Sequence, residues 1–180
     1  MAGDMKALIA DKLLELAKKR GMDKVTVNQL VEMCGISRQT FYYHYPDIVA
    51  VAQGALRNSL EAASRRSAEI GEPVGALRLF TEEMVRNSPA LSVFINSKLR
   101  KESELLLLTE MKRFIRSMLT ENGTEWGVAL TKKRLDFCAD FFACGMTAFM
   151  MEHCHDKAFD VEAFVEQMTW MLEGILKAKQ

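Results

Sequence analysis

Hydrophobic positions recur at helical spacing along most of the chain, and short stretches rich in Gly, Pro, Ser and Asp separate the helical segments. Apolar residues three and four positions apart fall on one face of a helix. No alternating pattern of the strand type extends beyond a few residues. The sequence therefore predicts an all-α protein, and its first helix ends near Gly21 and has an apolar face made of Met5, Leu8, Ile9, Leu13 and Leu16.

Residues 26–47 predict two short helices joined by a tight turn. Thr26 is followed three residues later by Gln29, an arrangement in which each side chain satisfies a backbone N–H of the first turn. Gly35 suits the left-handed exit of the first helix, Ser37 can cap the second, and Pro46 cannot continue it. The apolar face of the first of these helices consists of Val27, Leu30, Val31 and Cys34.

The second short helix has two chemically different faces when its residues are placed about 100° apart. Phe41 and Tyr45 point together toward the interior. The opposite face carries Gln39, Thr40 and Tyr43, and the flanks carry Tyr42 and His44. Aromatic clusters are usually core, but these cannot all face inward on one helix. A helix in the major groove needs polar groups outward for base edges and at its flanks for phosphates, so this helix is a candidate DNA reader.

The same residues resemble the DNA-binding domain of TetR-type transcriptional regulators, with a close match over roughly residues 5–56. The family's recognition helix reads as a small residue, then T-[FL]-Y-x-H-[FY] and a polar break, which corresponds here to Ser37, Thr40, Phe41, Tyr42, Tyr43, His44 and Tyr45. The resemblance implies a helix-turn-helix domain at residues 1–47 and a helical ligand-binding and dimerisation domain at residues 48–180. The predicted DNA contacts are Thr26, Asn28, Ser37, Arg38, Gln39, Thr40, Tyr42, Tyr43 and His44.

Composition agrees with a well-cored helical protein, since 49% of the 180 residues are hydrophobic and only three are proline. No run of 18 or more apolar residues occurs, and the N-terminus lacks a basic region followed by an apolar one. We therefore expect a cytoplasmic protein without a membrane partner.

Charge is the feature that favours DNA binding least. The net charge is zero, and residues 1–50 contain seven basic and six acidic side chains. Strong sequence-independent attraction to phosphates is therefore not expected. Many relatives carry a lysine at the start of the fourth helix, where this chain has Ile48. The candidates to replace that phosphate contact are Lys24 and the cluster Lys18, Lys19 and Arg20, and Asp47 is the expected N-cap of the fourth helix.

The cysteines Cys34, Cys138, Cys144 and Cys154 lack metal-finger spacing, so the expectation is buried free thiols. The run of His153, Cys154, His155 and Asp156 resembles a ligand cluster, but adjacent residues diverge around a helix. No nucleophile elbow, phosphate loop or zinc helix motif occurs. We therefore predict no metal, no cofactor and no enzymatic activity, while a redox sensor based on Cys154 stays open.

The C-terminal part predicts a helical bundle with breaks at residues 71–73, 88–89, 101–103, 122–123 and 156–160. Residues 137–151 are almost entirely apolar, so that helix must be covered on most sides. On the last helix Trp170 lies opposite the apolar stripe, beside small residues. A lone exposed tryptophan is the alternative, but interface cores are enriched in tryptophan. The chain is therefore predicted to form a homodimer through Phe142, Phe149, Ala163, Trp170 and Gly174.

The resemblance also implies an effector cavity in the C-terminal bundle, although a residue of this kind is more often core than cavity lining. These residues are Phe80, Met84, Phe94, Met111, Phe114, Met118, Phe137 and Phe141. Few charged residues fall among them, which favours an apolar or weakly polar effector. The implied function is a repressor that binds an inverted repeat of double-stranded DNA as a homodimer and is released by the effector.

A subgroup of the family offers a different mode of control. The segment around Asn87, Ser88 and Pro89 with Phe94, together with the run FFACGM, resembles the short C-terminal type that includes activators of dihydroxyacetone-kinase operons. In those relatives the signal is a partner protein. The alternative expectation is therefore an activator or co-regulator controlled by a partner protein or by cysteine oxidation.

Overall fold

A computed structural model describes residues 2–121, 131–153, 156 and 158–177. Within these ranges the chain forms eight α-helices and one 3-10 turn, Met22–Lys24, and no strand. The helices are α1 (Ala2–Arg20), α2 (Val27–Cys34), α3 (Arg38–His44), α4 (Ile48–Ala68), α5 (Pro73–Ile95), α6 (Arg100–Glu121), α7 (Lys132–His153) and α8 (Val161–Lys177). The predicted all-α class is confirmed.

Residue contacts divide the chain into two compact units. The head unit consists of Met1–Ser59 and Pro89–Leu106, and the bundle unit consists of Leu60–Ser88 and Leu107–Gln180. Helices α4, α5 and α6 each contribute residues to both units. These contact units differ from the predicted boundary after residue 47, because the head unit extends into α4 and takes in a second segment.

The head unit is held by a small apolar core to which each of its first four helices contributes. Ile9 and Leu13 of α1, Leu30 of α2, Phe41 of α3 and Val51 of α4 have no exposed surface. Complete burial of an aliphatic or aromatic side chain stabilises a fold by about 1.5–3 kcal/mol. The carboxylate of Asp23 also accepts a 3.0 Å hydrogen bond from the backbone N–H of Lys98, which joins the 3-10 turn to the second segment of the unit.

The bundle unit has an aromatic and methionine-rich core. The rings of Phe80 and Phe114 stack with their centroids 4.0 Å apart, and Met111, Met146 and Met150 are buried around the unit's interior. Ion pairs connect helices at the margin of this core: Arg66 to Glu83 at 2.7 Å, Arg78 to Glu162 at 2.9 Å, Lys112 to Asp140 and Arg116 to Asp136. The helical-bundle prediction is confirmed for this part of the chain.

Two of the predicted helix breaks are wrong. Pro89 lies inside α5, because the buried side chains of Met84, Leu91 and Phe94 hold the turns on both sides of it. A proline inside a helix removes one backbone hydrogen bond at a cost of about 3 kcal/mol, which this packing offsets. The break predicted at residues 101–103 occurs earlier, since α6 begins at Arg100. The breaks at residues 71–73 and 156–160 are confirmed, and residues 122–123 lie outside the described residues.

Candidate nucleic-acid interface

The start and end of α2 are set by the residues that the sequence singled out. Thr26 Oγ1 accepts a 3.4 Å hydrogen bond from the backbone N–H of Gln29, and the Gln29 side-chain oxygen accepts a 3.0 Å bond from the backbone N–H of Thr26. This reciprocal pair is the predicted capping box. At the other end Gly35 has φ 66°, a left-handed conformation that is strained for residues with a Cβ. The chain therefore turns sharply between α2 and α3.

Helix α3 is equally well delimited. Ser37 Oγ accepts a 3.0 Å hydrogen bond from the backbone N–H of Thr40, as expected of an N-cap. The helix ends at His44, and the C-cap residue Tyr45 has an extended backbone and precedes Pro46. The next helix starts at once, because Asp47 Oδ1 accepts a 2.7 Å bond from the backbone N–H of Ala50. Both predicted caps are confirmed, and α3 spans about two turns.

One face of α3 anchors the helix in the head unit. Phe41 is completely buried, and Tyr45 is 8% exposed with its ring 6.5 Å from that of Phe41. The ammonium group of Lys6 lies 5.6 Å from the centroid of the Tyr45 ring. Burial raises the pKa of Tyr45, so its hydroxyl is protonated at neutral pH. The predicted interior positions of these two residues are confirmed.

The opposite face of α3 is open to solvent. Tyr43 is 83% exposed, Tyr42 is 55% exposed, and Gln39 is also exposed. His44 is half-buried, with its ring 5.1 Å from that of Tyr43. Thr40 is half-buried as well, and its hydroxyl lies 2.9 Å from that of Ser37. Gln39 and Tyr43 therefore present the most accessible polar groups of this face, whereas the Thr40 hydroxyl is shared with the helix cap.

Thr26 is the N-cap of α2, and Asn28 lies in the first turn of that helix. Both are exposed, but the Thr26 hydroxyl is engaged in the capping box, where it also lies 3.1 Å from Gln29 Oε1. Asn28 faces the beginning of α3: its Oδ1 accepts hydrogen bonds from Nε of Arg38 at 2.7 Å and from Nη2. Periodicity does not reveal a contact between residues ten positions apart, so the sequence reasoning named both residues without pairing them.

A cluster of positive charge lies at the end of α1. Lys18, Lys19 and Arg20 occupy the last turn of this helix and are exposed, and Lys24 is exposed in the turn that follows. Lys19 and Lys12 both contact the Glu15 carboxylate, and their hydrogen bonds hold the pKa of that carboxyl below its usual value. Part of this charge is therefore balanced within α1, as the small formal excess suggested.

The residues predicted to line an effector cavity belong to both units, and they differ in burial. Phe80, Met84, Met111, Phe114 and Met118 are buried in the bundle unit, whereas Phe94 is buried in the head unit. Phe137 and Phe141 are 68% and 52% exposed, so they lie on the surface of α7 and not in the interior. Their assignment to an interior cavity is wrong, because consecutive apolar positions on α7 concealed which face is buried.

The residues predicted to form a dimer interface are mostly on the surface. Trp170 is 72% exposed, Phe149 is 42% exposed, and Ala163 and Gly174 are exposed on α8. Phe142 is only 2% exposed, so this member of the predicted interface is wrong and belongs to the core. Beside Trp170 an open groove of about 490 Å³ is also lined by Val74, Arg78, Glu162 and Thr169.

The cysteines are mostly shielded. Cys138 is buried and Cys34 is half-buried, and burial raises the pKa of both thiols, so they are protonated at neutral pH. Cys144 is exposed on α7. Cys154 and His155 were candidates for redox chemistry or metal binding in the sequence, and both lie outside the described residues. Among the residues that the structure does describe, no cluster of His, Cys, Asp and Glu could hold a metal ion.

Within the described ranges, no helix is both long enough and apolar enough to span a membrane.

Comparison with known proteins agrees with the helix-turn-helix geometry. Residues 9–53 match the family model of bacterial regulatory proteins, tetR family. No curated protein matches the chain in sequence. Among solved structures, the dihydroxyacetone kinase operon activator DhaS has a TM-score of 0.78 at 14% identity, and the alignment covers 96% of both chains.

Two further solved structures share the fold over nearly their whole length. A protein from Syntrophomonas wolfei described as a TetR-family transcriptional regulator has a TM-score of 0.71 at 14% identity, with 100% of this chain and 98% of that chain covered. RolR in complex with resorcinol has a TM-score of 0.66 at 16% identity, with 99% and 95% covered. The family match over residues 9–53 and the shared helical fold support a TetR-type, DNA-binding transcriptional regulator.

Proposed function

We propose that the protein represses transcription as a homodimer that binds an inverted-repeat operator through α3 of each protomer, and that a small molecule bound in the bundle unit releases it. The observation that carries the DNA-binding part is the two-faced geometry of α3. Phe41 and Tyr45 fix the helix in the core, while Gln39, Tyr42 and Tyr43 project into solvent. Exposed aromatic side chains on a short, rigidly capped helix suit a binding surface better than a solvated face.

Each side chain of this surface has a specific role in the proposal. Gln39 and Tyr43 carry donors and acceptors on the outermost face, where base edges are read. Tyr42 lies on the flank and supplies a hydroxyl for a phosphate. Because residues 1–50 carry only one more basic than acidic side chain, one helix-turn-helix alone binds weakly, and a dimer gains affinity from the high effective concentration of its second one.

The support for a homodimer is a continuous apolar stripe on the exposed side of α7. Its members recur at intervals of three and four, and they are Phe137, Phe141, Cys144, Gly145, Ala148 and Phe149. Phe149 stacks on Phe164 of α8 with centroids 5.1 Å apart, so the stripe continues toward the last helix. Among the described residues, no atom outside the local helix backbone lies within 4 Å of the space that a Cβ at Gly145 or Gly174 would fill, which leaves room for a second helix to approach. Large exposed apolar patches of this kind mark protein interfaces.

The support for a weakly polar effector is a buried hydroxyl in the bundle unit. Thr147 is 4% exposed, and its Oγ1 has no hydrogen-bond partner among the described residues. An unpaired buried hydroxyl costs about 1–3 kcal/mol, which a ligand bearing one hydrogen-bonding group can recover. RolR, whose structure contains resorcinol, shares this fold. A ligand with different affinities for the DNA-bound and free states shifts the equilibrium between them.

An activator controlled by a partner protein is the second candidate, because the likeness in fold to the operon activator DhaS extends over 96% of both chains. In that case α3 would still bind an inverted repeat, and the exposed surface of the bundle unit would receive the partner. Transcription in vitro from a promoter carrying the operator separates the two functions. With RNA polymerase as the one other protein, a repressor lowers the transcript yield and an activator does not.

Selection of bound sequences from a random DNA pool, with the molar mass measured in parallel, tests the core of the proposal. We expect one inverted repeat, with half-site centres about 34–36 Å apart or a multiple of that, bound by a dimer of twice 20.4 kDa. A double variant with Gln39→Ala and Tyr43→Ala is the matched control, because both side chains are exposed and their loss leaves the core intact. Recovery of the same repeat by this variant, or of no sequence by the wild type, would contradict the proposed role of α3.

A further inference from the structure

We propose that Arg38 reads a guanine in each half-site of the operator and that Asn28 is the positioning residue that aims its guanidinium group. This inference rests on the proposed DNA-binding function and adds to it the base that is recognised. Arg38 is the first residue of α3, and N-terminal residues of a recognition helix contact base edges in the major groove.

The geometry of the Arg38 contact decides which part of the guanidinium is available. Oδ1 of Asn28 accepts hydrogen bonds from both Nε and Nη2 of Arg38, with Nε at 2.7 Å. These two donors form the side edge of the guanidinium. A guanidinium has five N–H donors in a planar fork, so the end edge, made by Nη1 and the second N–H of Nη2, remains available. No other described residue accepts a hydrogen bond from this end edge.

The available edge matches one base better than the others. It presents two parallel N–H donors, and guanine presents two adjacent acceptors, N7 and O6, in the major groove. Adenine has a donor beside N7, and the pyrimidines offer a single acceptor or a donor. A guanidinium held in a fixed orientation before binding also loses less conformational freedom on binding than a mobile one.

The charge of Arg38 supports the same conclusion. Its observed partner is a neutral amide, whereas Arg66, Arg78 and Arg116 of the bundle unit pair with carboxylates. The contact with Asn28 therefore sets the direction of the guanidinium without placing an opposite charge beside it. Both Arg38 and Asn28 are exposed, so neither contributes to the core of the head unit. Their contact instead orients the Arg38 guanidinium for binding to DNA.

The first test compares the selected operator sequences of the wild type and of Arg38→Ala. We expect one position in each half-site where the wild type requires guanine and the variant accepts all bases, while the other positions are unchanged. Discrimination at that position should fall by about 5- to 150-fold, which is the range of a single bidentate contact. Arg57→Ala is the charge-matched control, because Arg57 is exposed on α4, outside the helix-turn-helix. Unchanged thermal unfolding of both variants excludes loss of the fold.

Modified bases sharpen the test at that position. Replacing the guanine by 7-deazaguanine removes N7 and should weaken wild-type binding but leave Arg38→Ala unaffected. Replacing it by hypoxanthine keeps N7 and O6 and should leave wild-type affinity unchanged. Equal losses for both proteins on 7-deazaguanine would overturn the proposal. A uniform loss of affinity for all sequences in Arg38→Ala would overturn it as well, because it would assign Arg38 to a phosphate.

The role of Asn28 has its own readout. Asn28→Ala should reduce the preference for guanine at the same position while affinity for unrelated DNA is retained. Asn28→Asp keeps an acceptor oxygen, so it should preserve the preference while its added charge lowers overall affinity. If Asn28 only stabilised the fold, its variants would lose the preference for guanine and the affinity for unrelated DNA together. Failure of the wild type to select any sequence would contradict the DNA-binding function itself, whereas a selected repeat without a guanine dependent on Arg38 would contradict only this inference.

Discussion

Helices α3 and α7 both contain several aromatic residues close together, but only α3 reveals its buried face in the sequence. In α3 polar residues separate the positions that point inward, and Phe41 and Tyr45 are buried as predicted. In α7 almost every residue between 137 and 151 is apolar, and the structure buries Phe142 while leaving Phe141 exposed. When a helix is apolar on two faces, its own sequence does not show which face packs in the core of the unit and which stays exposed. Helix α3 therefore presents polar groups to solvent, whereas α7 leaves apolar side chains such as Phe137 and Phe141 exposed.

The largest expected effect tests the faces of α3. Phe41→Ala should destabilise the head unit by about 3–5 kcal/mol, because it leaves a cavity in a completely buried site. Tyr43→Ala removes a side chain that is 83% exposed and should change stability by less than about 0.5 kcal/mol. Chemical denaturation followed by circular dichroism measures both values. Similar losses in the two variants would show that the face assignment is wrong.

The contrast between the two helices also explains how much the sequence could predict. Side-chain caps act within a few residues, so Thr26, Ser37 and Asp47 could be assigned correctly from local patterns. Pro89 was misleading because tertiary packing outweighs a local preference of about 3 kcal/mol. The pairing of Asn28 with Arg38 joins two helices across a turn, and no periodic pattern records such a contact.

The next largest effect tests which face of α7 is buried, and it uses two neighbouring residues. Phe142→Ala should lower the free energy of unfolding by about 3–5 kcal/mol, because Phe142 is buried in the bundle unit. Phe141→Ala removes an exposed ring and should leave the fold intact while weakening self-association. Urea unfolding and sedimentation equilibrium on the same samples separate the two outcomes. A stable fold in Phe142→Ala together with an unfolded Phe141→Ala would reverse the assignment of the faces.

A smaller effect tests whether α8 meets a second copy. Trp170→Ala should raise the dissociation constant of the dimer by about 30-fold or more, since tryptophan at an interface commonly contributes about 2 kcal/mol. Trp170 is 72% exposed in the single chain, so its loss should leave the core of the bundle unit unchanged. Analytical ultracentrifugation over a dilution series measures the constant. Unaltered dimerisation in both this variant and Phe141→Ala would exclude the proposed α7 and α8 surface.

The smallest expected effect separates phosphate contacts from base contacts on α3. Tyr42→Phe removes one hydroxyl and should weaken binding by about 1 kcal/mol, or roughly fivefold, on every DNA sequence, because a phosphate oxygen is present at all of them. Gln39→Ala should lower affinity for the selected operator but not for unrelated DNA, since it removes a contact to a base edge. Binding titrations on the operator and on a scrambled duplex, at one salt concentration, give both ratios. If Tyr42→Phe changed the preferred bases and Gln39→Ala lowered affinity uniformly, the outer face and the flank of α3 would have to exchange roles. That result would also show that this helix lies in the groove in a different orientation, with Tyr42 directed toward the bases.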